Sequence, residues 1–196
     1  MLSFVLAVFF LFITPGPGVL SLAGVGAAYG YRKAVHYFAG LFVGTNLVSF
    51  AIISGLAALM LSTPALRTAF LFASVGYLLY LAFRIAFSGT EIAFIKAPTA
   101  PGFFAGILLQ AINPKAYAVN TAFFSGFAFW PESLAVETMI KLLIMNAIWI
   151  PIHMIWLAAG VTVQRLNLAP RTHFIINMVM ALSMLMVVVL AALAPR

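Results

Sequence analysis

Thirty-one residues pass before the chain carries its first charged side chain, Arg32, and apolar runs of similar length follow to the C-terminus. A helix that spans a bilayer needs about 20 predominantly apolar residues. Six segments meet that need: roughly 2–27, 38–62, 66–87, 102–128, 138–163 and 174–194. Polar punctuation separates them, at Gly30 to Lys33, Ser62-Thr63-Pro64, residues 88–101, Trp130-Pro131-Glu132 and Asn167 to Thr172. Only 7% of the residues are charged, against roughly 25% in a soluble domain, so lipid must be the solvent for most of the exterior. The spans fill residues 1–196 as one transmembrane domain. The expected fold is an all-α membrane protein with six transmembrane helices.

The net charge of +7 does not point to nucleic acid. Lys and Arg stand singly or in pairs between apolar runs, without the dense basic stripe such binding needs. Their distribution reads instead as an orientation signal. Arg32, Lys33, Arg84, Lys96, Arg165 and Arg171 follow odd-numbered spans, whereas Arg67, Lys141 and Arg196 lie on the other side. That bias places the loop 88–100 in the cytoplasm and both termini outside. The absence of cysteine excludes disulfides and thiolate metal sites. No basic region precedes the first apolar run, and that run exceeds the ~7–15 residues of a signal-peptide core. It reads as a retained first helix.

Two spans are interrupted near their middles. The first contains Ile13-Thr14-Pro15-Gly16-Pro17-Gly18, and the fourth contains Ile112-Asn113-Pro114-Lys115-Ala116. Proline removes a backbone donor and clashes with the carbonyl one turn earlier, so each run should unwind its helix near the midplane. Asn113 should cap the half-helix that follows, with Pro114 at its first position. Unpaired backbone at membrane depth is tolerated only inside protein or beside a wet cavity. Ordinary proline kinks would produce the same residues one at a time. The two breaks, however, occupy corresponding positions in two three-helix halves, roughly 1–90 and 101–196. An odd number of spans per half makes the halves inverted, and matched breaks in inverted halves point to a transporter's binding site. Lys115 reinforces the reading, because a full charge at a helix centre costs at least ~2.5 kcal/mol. The bland account of Lys115 is a side chain snorkelling to the surface.

Several stretches together resemble the LysE/RhtB family of amino-acid exporters along most of the chain. They are Thr14-Pro15-Gly16-Pro17, then Gly76-Tyr77-Leu78-Leu79-Tyr80-Leu81 followed by Arg84, then Phe104-Ala105-Gly106 with Gln110-Ala111-Ile112-Asn113-Pro114-Lys115-Ala116. The resemblance implies a six-helix inner-membrane carrier that expels amino acids or their relatives, driven by the proton gradient. The chain departs from the family at two places. Gly18 stands where the family often has Asn or Asp, and Gly44-Thr45-Asn46 is neutral where many members carry an acid. The three carboxylates, Glu91, Glu132 and Glu137, all fall in expected loops or interfaces, so the simplest proton carrier is missing from the membrane.

His153, inside the fifth span, reads either as a neutral ring bonded to a carbonyl or as a proton relay. Three scattered histidines form no metal site, and no cofactor pattern emerges. Gly40–Gly44 and Gly102–Gly106 have the small-xxx-small spacing of close helix contacts. Packing within the bundle is the favoured use, with a homo-oligomer left open. The expected substrate ligands are Thr14, Pro15, Gly16, Pro17, Gly18, Asn46, Asn113, Pro114 and Lys115. Half-helix N-termini and Lys115 would take a carboxylate, while freed carbonyls around Ile13–Thr14 and Ile112, with Asn46, would take an ammonium group. The small-molecule substrate expected is a neutral, zwitterionic amino acid or close derivative. The rival reading is a non-transporting membrane assembly or structural subunit. An intramembrane hydrolase lacks support, since no Ser or Thr is paired with an in-membrane carboxylate, or with an adjacent His at suggestive spacing.

Overall fold

A computed structural model describes residues 1–14, 16–55, 62–86 and 99–166, with scattered positions between 169 and 182. All the regular structure in these residues is helical. Seven helices follow in order: α1 (Leu2–Ile13), α2 (Pro17–Tyr29), α3 (Tyr31–Ile53), α4 (Pro64–Ala86), α5 (Phe103–Ile112), α6 (Pro114–Gly126) and α7 (Leu134–Arg165). Both α3 and α7 are long and apolar enough to cross a membrane, and α1 with α2 passes the same test as one span bent by 46°. The expected sixth span, 174–194, lies almost entirely outside the described residues, as do Pro15, Glu91, Lys96 and His173.

The expected first span falls on α1 plus α2, and the expected fourth falls on α5 plus α6, of which α5 is a shorter apolar helix. Thr14 and Gly16 are extended, and α2 restarts with Pro17 at its first position. In the fourth span a single extended residue, Asn113, separates the two pieces. Expected and observed edges differ most at α3, which starts at Tyr31 rather than 38. Its first turn carries Arg32 and Lys33 on exposed positions, so the polar punctuation is helical rather than loop. Gly30 makes the reversal between α2 and α3 with φ of 77°, a conformation that disfavours any residue with a Cβ. Likewise α7 starts at Leu134 instead of 138, because Ser133 caps it by accepting the Val136 N–H at 3.4 Å.

Glycine sets the helix contacts. Lipid tails are as apolar as leucine, so membrane helices associate through close packing at small residues rather than through hydrophobic burial. A Cβ on Gly106 of α5 would lie 2.5 Å from the Tyr37 carbonyl oxygen and 2.6 Å from the Leu41 nitrogen of α3. On the facing side, a Cβ on Gly44 would meet the Ile107 Cα at 3.0 Å, and one on Gly40 would collide with the Phe103 carbonyl. The expected internal use of Gly40–Gly44 holds, and Gly106 joins it, whereas Gly102 faces open space. A second close contact joins α2 to α7, where Gly160 abuts the Ala23 backbone and Gly26 faces the Leu157 carbonyl. Meanwhile Phe10, Phe72, Phe104, Met139, Leu143 and Ile155 are exposed, as side chains facing lipid tails are expected to be.

The packing crosses between the broken helices. The unbroken α3 touches both α5 and α6, and the unbroken α7 touches both α1 and α2. Tyr77 of α4, part of the Gly76–Leu81 motif, donates its hydroxyl to the Ala105 carbonyl of α5 at 2.8 Å. Two apolar cores result, one around Leu22, Tyr37, Leu41 and Leu157, the other around Phe4, Val8, Phe123 and Met145. The two breaks share a polar seam in the same bundle.

Candidate functional site

The seam begins with what the interruption of α5–α6 leaves unbonded. A helix N-terminus has donors without intrahelical partners, and an interrupted C-terminus has spare carbonyls. Asn113 serves both sides of its break. Its Oδ1 accepts the Lys115 backbone N–H at 3.1 Å, and its Nδ2 donates to Gln110 Oε1 at 3.0 Å. The expected cap and the expected first-turn proline are both present. One turn further back, the Ala111 carbonyl accepts the Tyr117 hydroxyl at 2.8 Å.

Lys115 then links this break to the other one. Its Nζ donates to the Thr14 carbonyl at 2.6 Å, where α1 has just ended. The alkyl chain passes directly over Gly16, where an added Cβ would lie 2.8 Å from Lys115 Cδ and 3.0 Å from Nζ. A Cβ at position 16 would oblige the lysine side chain to shift from this path. The side chain is half-buried and points between two helices, not along one towards a surface. That geometry fits an interior group better than a snorkelling one.

Between the breaks lies a cavity of about 50 Å³, room for a few waters when each needs ~10–15 Å³ in this measure. Its walls include Thr14, Gly16, Gly18, Asn113 and Lys115 from the two breaks, Thr45 from α3, and Trp149 and His153 from α7. His153 is buried and stacked on Trp149, with ring centroids 3.6 Å apart. Its Nδ1 lies 2.9 Å from the Trp149 carbonyl. A carbonyl only accepts, so Nδ1 carries a hydrogen and Nε2 is turned elsewhere. Both Nε2 of His153 and the amide nitrogen of Gln110 approach Gly18, at 3.8 and 3.6 Å from where its Cβ would be. Gly18 thus leaves space where two buried polar groups converge.

Asn46 does not join that wall. It lines a smaller neighbouring cavity of about 10 Å³ with Ser49 and Asn146, behind the shared residues Phe12, Thr45 and Trp149. Both its amide protons are engaged, one by the Phe42 carbonyl at 2.9 Å and one by Asn146 at 3.0 Å. Pro15 lies outside the described residues. Of the other expected ligands, Thr14, Gly16, Gly18, Asn113 and Lys115 come together around the larger cavity, with Pro17 and Pro114 opening the two helices that flank it.

Residues not singled out from the sequence complete the site. Gln110 stands one turn before Asn113 on the same face, and Asn120 is almost wholly buried on α6. Asn120 donates to the Ala116 carbonyl at 2.7 Å and accepts from Ser49 at 2.6 Å. The available signal was a polar amide inside an apolar helix, which generally faces the bundle interior.

Of the three carboxylates placed in loops or at interfaces, Glu137 lies buried in the first turn of α7, beside a buried lysine, Lys141. The Glu137 carboxylate meets Lys141 Nζ at 2.8 Å and accepts the backbone N–H groups of Phe129 at 2.8 Å and Trp130 at 2.6 Å. The early start of α7 and the return of residues 127–133 over its end bury the pair. Charge and hydrogen bonds are mutually satisfied there, away from the cavity. Among the described residues no three His, Cys, Asp or Glu side chains gather as a metal site.

The described residues thus form a bundle of apolar helices with polar side chains gathered at two helix breaks. The chain belongs to the LysE type translocator family, whose pattern matches residues 9–194. It is 28% identical over 130 residues to the leucine efflux protein of Enterobacter sp. (strain 638), covering 64% of this chain and 62% of that protein. It is also 28% identical over 137 residues to the cysteine/O-acetylserine efflux protein of Salmonella paratyphi A (strain ATCC 9150 / SARB42), covering 69% of each. The chain therefore spans somewhat under two thirds of the leucine efflux relative's length in that match. No solved structure matches the chain.

Proposed function

We propose that this protein is a secondary transporter that exports small neutral amino acids or close derivatives across the inner membrane. The observation that carries the reading is the Lys115 Nζ bond to the Thr14 carbonyl, which holds the two breaks together across the cavity. A zwitterion offers both halves of that bond a replacement. Its carboxylate takes Lys115 Nζ, and its ammonium group takes the Thr14 carbonyl. The N-termini of α2 and α6 add about half a positive charge each near the carboxylate, and the Gln110 amide can donate to it. His153 Nε2, a free acceptor on the same wall, is the candidate proton carrier for coupling to the proton gradient.

Neutral substrates follow from charge. Among the described residues the cavity wall holds one cation and no carboxylate, so a dibasic amino acid would bring its second cation to a site without a full negative partner. The six spans are read as two inverted halves, with residues 88–100 cytoplasmic and both termini outside. The two named relatives export leucine and cysteine or O-acetylserine, and these substrates fit the same class. The cavity as it stands is smaller than an amino acid, so loading requires Lys115 to leave Thr14 and the halves to part.

Counterflow into liposomes holding only this protein tests the reading. Neutral amino acids should exchange measurably and lysine or arginine poorly. Counterflow selective for lysine would refute the charge argument, and no counterflow across a broad amino-acid panel would refute the transporter.

A further inference from the structure

Asn46 and Asn146 form an amide pair with a symmetry the site itself does not share. Each Nδ2 donates to the other's Oδ1 at 3.0 Å, and each also donates to the carbonyl four residues back, Phe42 and Leu142, at 2.9 Å. The bonding of one residue is the bonding of the other. They stand on α3 and α7, two unbroken helices, each the next helix after its half's broken span.

We infer that this pair is the pivot about which the two halves rock during transport. The inference rests on the transporter reading and on the inverted halves, and it follows from symmetry. In a carrier built of inverted halves, the inward-open and outward-open states are related by exchanging the conformations of the halves. A contact between non-equivalent residues then survives only if its counterpart contact is present as well. The Lys115–Thr14 bond cannot survive that exchange, because its counterpart would need a long cationic side chain near Gly16. A contact between a residue and its own counterpart maps onto itself. Asn46–Asn146 is such a contact, so it keeps both hydrogen bonds in both states. It also lies against the cavity, sharing Phe12, Thr45 and Trp149 with it, so rotation there re-aims the site with little displacement. The two asparagines are positioning residues: they hold the axis, not the substrate.

The chain has no cysteine, so Asn46→Cys/Asn146→Cys can be joined cleanly by a short bis-methanethiosulfonate linker. The measurement is neutral amino-acid counterflow in liposomes, before linking, after linking and after reduction. Joined protein should run within about twofold of the reduced form, because a contact on the axis need not open during rocking. A rate that collapses on linking and returns on reduction overturns the pivot. Absence of counterflow in the wild-type protein overturns the transporter reading as well. If the double variant does not accumulate, spin labels on the exposed positions Leu47 and Leu143, beside the pair, replace the linker. Their separation should stay fixed on adding substrate while that between labels at Tyr31 and Ile155 shifts. Equal shifts at both pairs overturn the inference.

Discussion

Asn113 supplies from one side chain what the backbone at the break lacks. Its oxygen caps α6 through the Lys115 N–H and its nitrogen holds Gln110 beside the cavity. Asn113→Ala should lower thermal stability by about 1 kcal/mol for the lost cap and weaken substrate affinity as Gln110 comes loose. Asn113→Asp keeps an acceptor for the cap but sets a negative charge beside the proposed carboxylate. Like Asn113→Ala it loses the Nδ2 bond to Gln110, and through the added charge its KM for export should rise further than in Asn113→Ala. Thermal shift and concentration-dependent counterflow, measured on the same preparations, separate the two effects. An Asn113→Asp variant with unchanged KM would place the carboxylate elsewhere. Individual residues such as Asn113 and Lys115 were legible in the sequence because a proline, a cap and an intramembrane charge each break a rule of apolar helices. Gln110 was harder to see, since one amide in an apolar run acquires meaning only when α5 is known to turn it towards Gly18.

At the scale of elements, the contacts of α5 depend on what its glycine lacks. Gly106→Val would drive two methyl groups into the α3 backbone near Tyr37 and Leu41, which cannot retreat without opening the bundle. A Cβ at Gly102 meets nothing within 4 Å, so Gly102→Val has open space to enter. The first variant should lose most of its monodisperse, folded yield in detergent and the second should keep it, as size-exclusion profiles would record. Equal yields would show that α3 and α5 are not locked through that contact. Helix identity was readable from apolar length, and both breaks from proline. The ends of α3 and α7 were not, because charge was taken to mean loop. Arg32 and Lys33 sit on an exposed helical turn, while Glu137 and Lys141 neutralise each other within one. The i, i+4 spacing of Glu137 and Lys141 was the signal for that pair.

Among the described residues two broken helices organise the bundle, with α3 packed on both α5 and α6, and α7 on both α1 and α2. That cross-packing is invisible in hydropathy, which reports length and not partners. Orientation belongs to this scale too. With the loop 88–100 cytoplasmic, Thr99→Cys should resist a membrane-impermeant thiol reagent added to intact cells and react once the membrane is opened. Labelling from outside would reverse the orientation.

The central claim is that the two breaks form one substrate site, bridged by Lys115 through the Thr14 carbonyl. Initial counterflow of a neutral amino acid, normalised to protein recovered in the liposomes, tests it most directly in wild type and in Lys115→Gln. Removing an intramembrane charge carries no insertion penalty, so the variant should accumulate normally, and its rate should fall at least about tenfold, the loss of one charged hydrogen bond worth ~1.5–3 kcal/mol. Lys115→Gln transporting at the wild-type rate from a normally folded population would contradict the account.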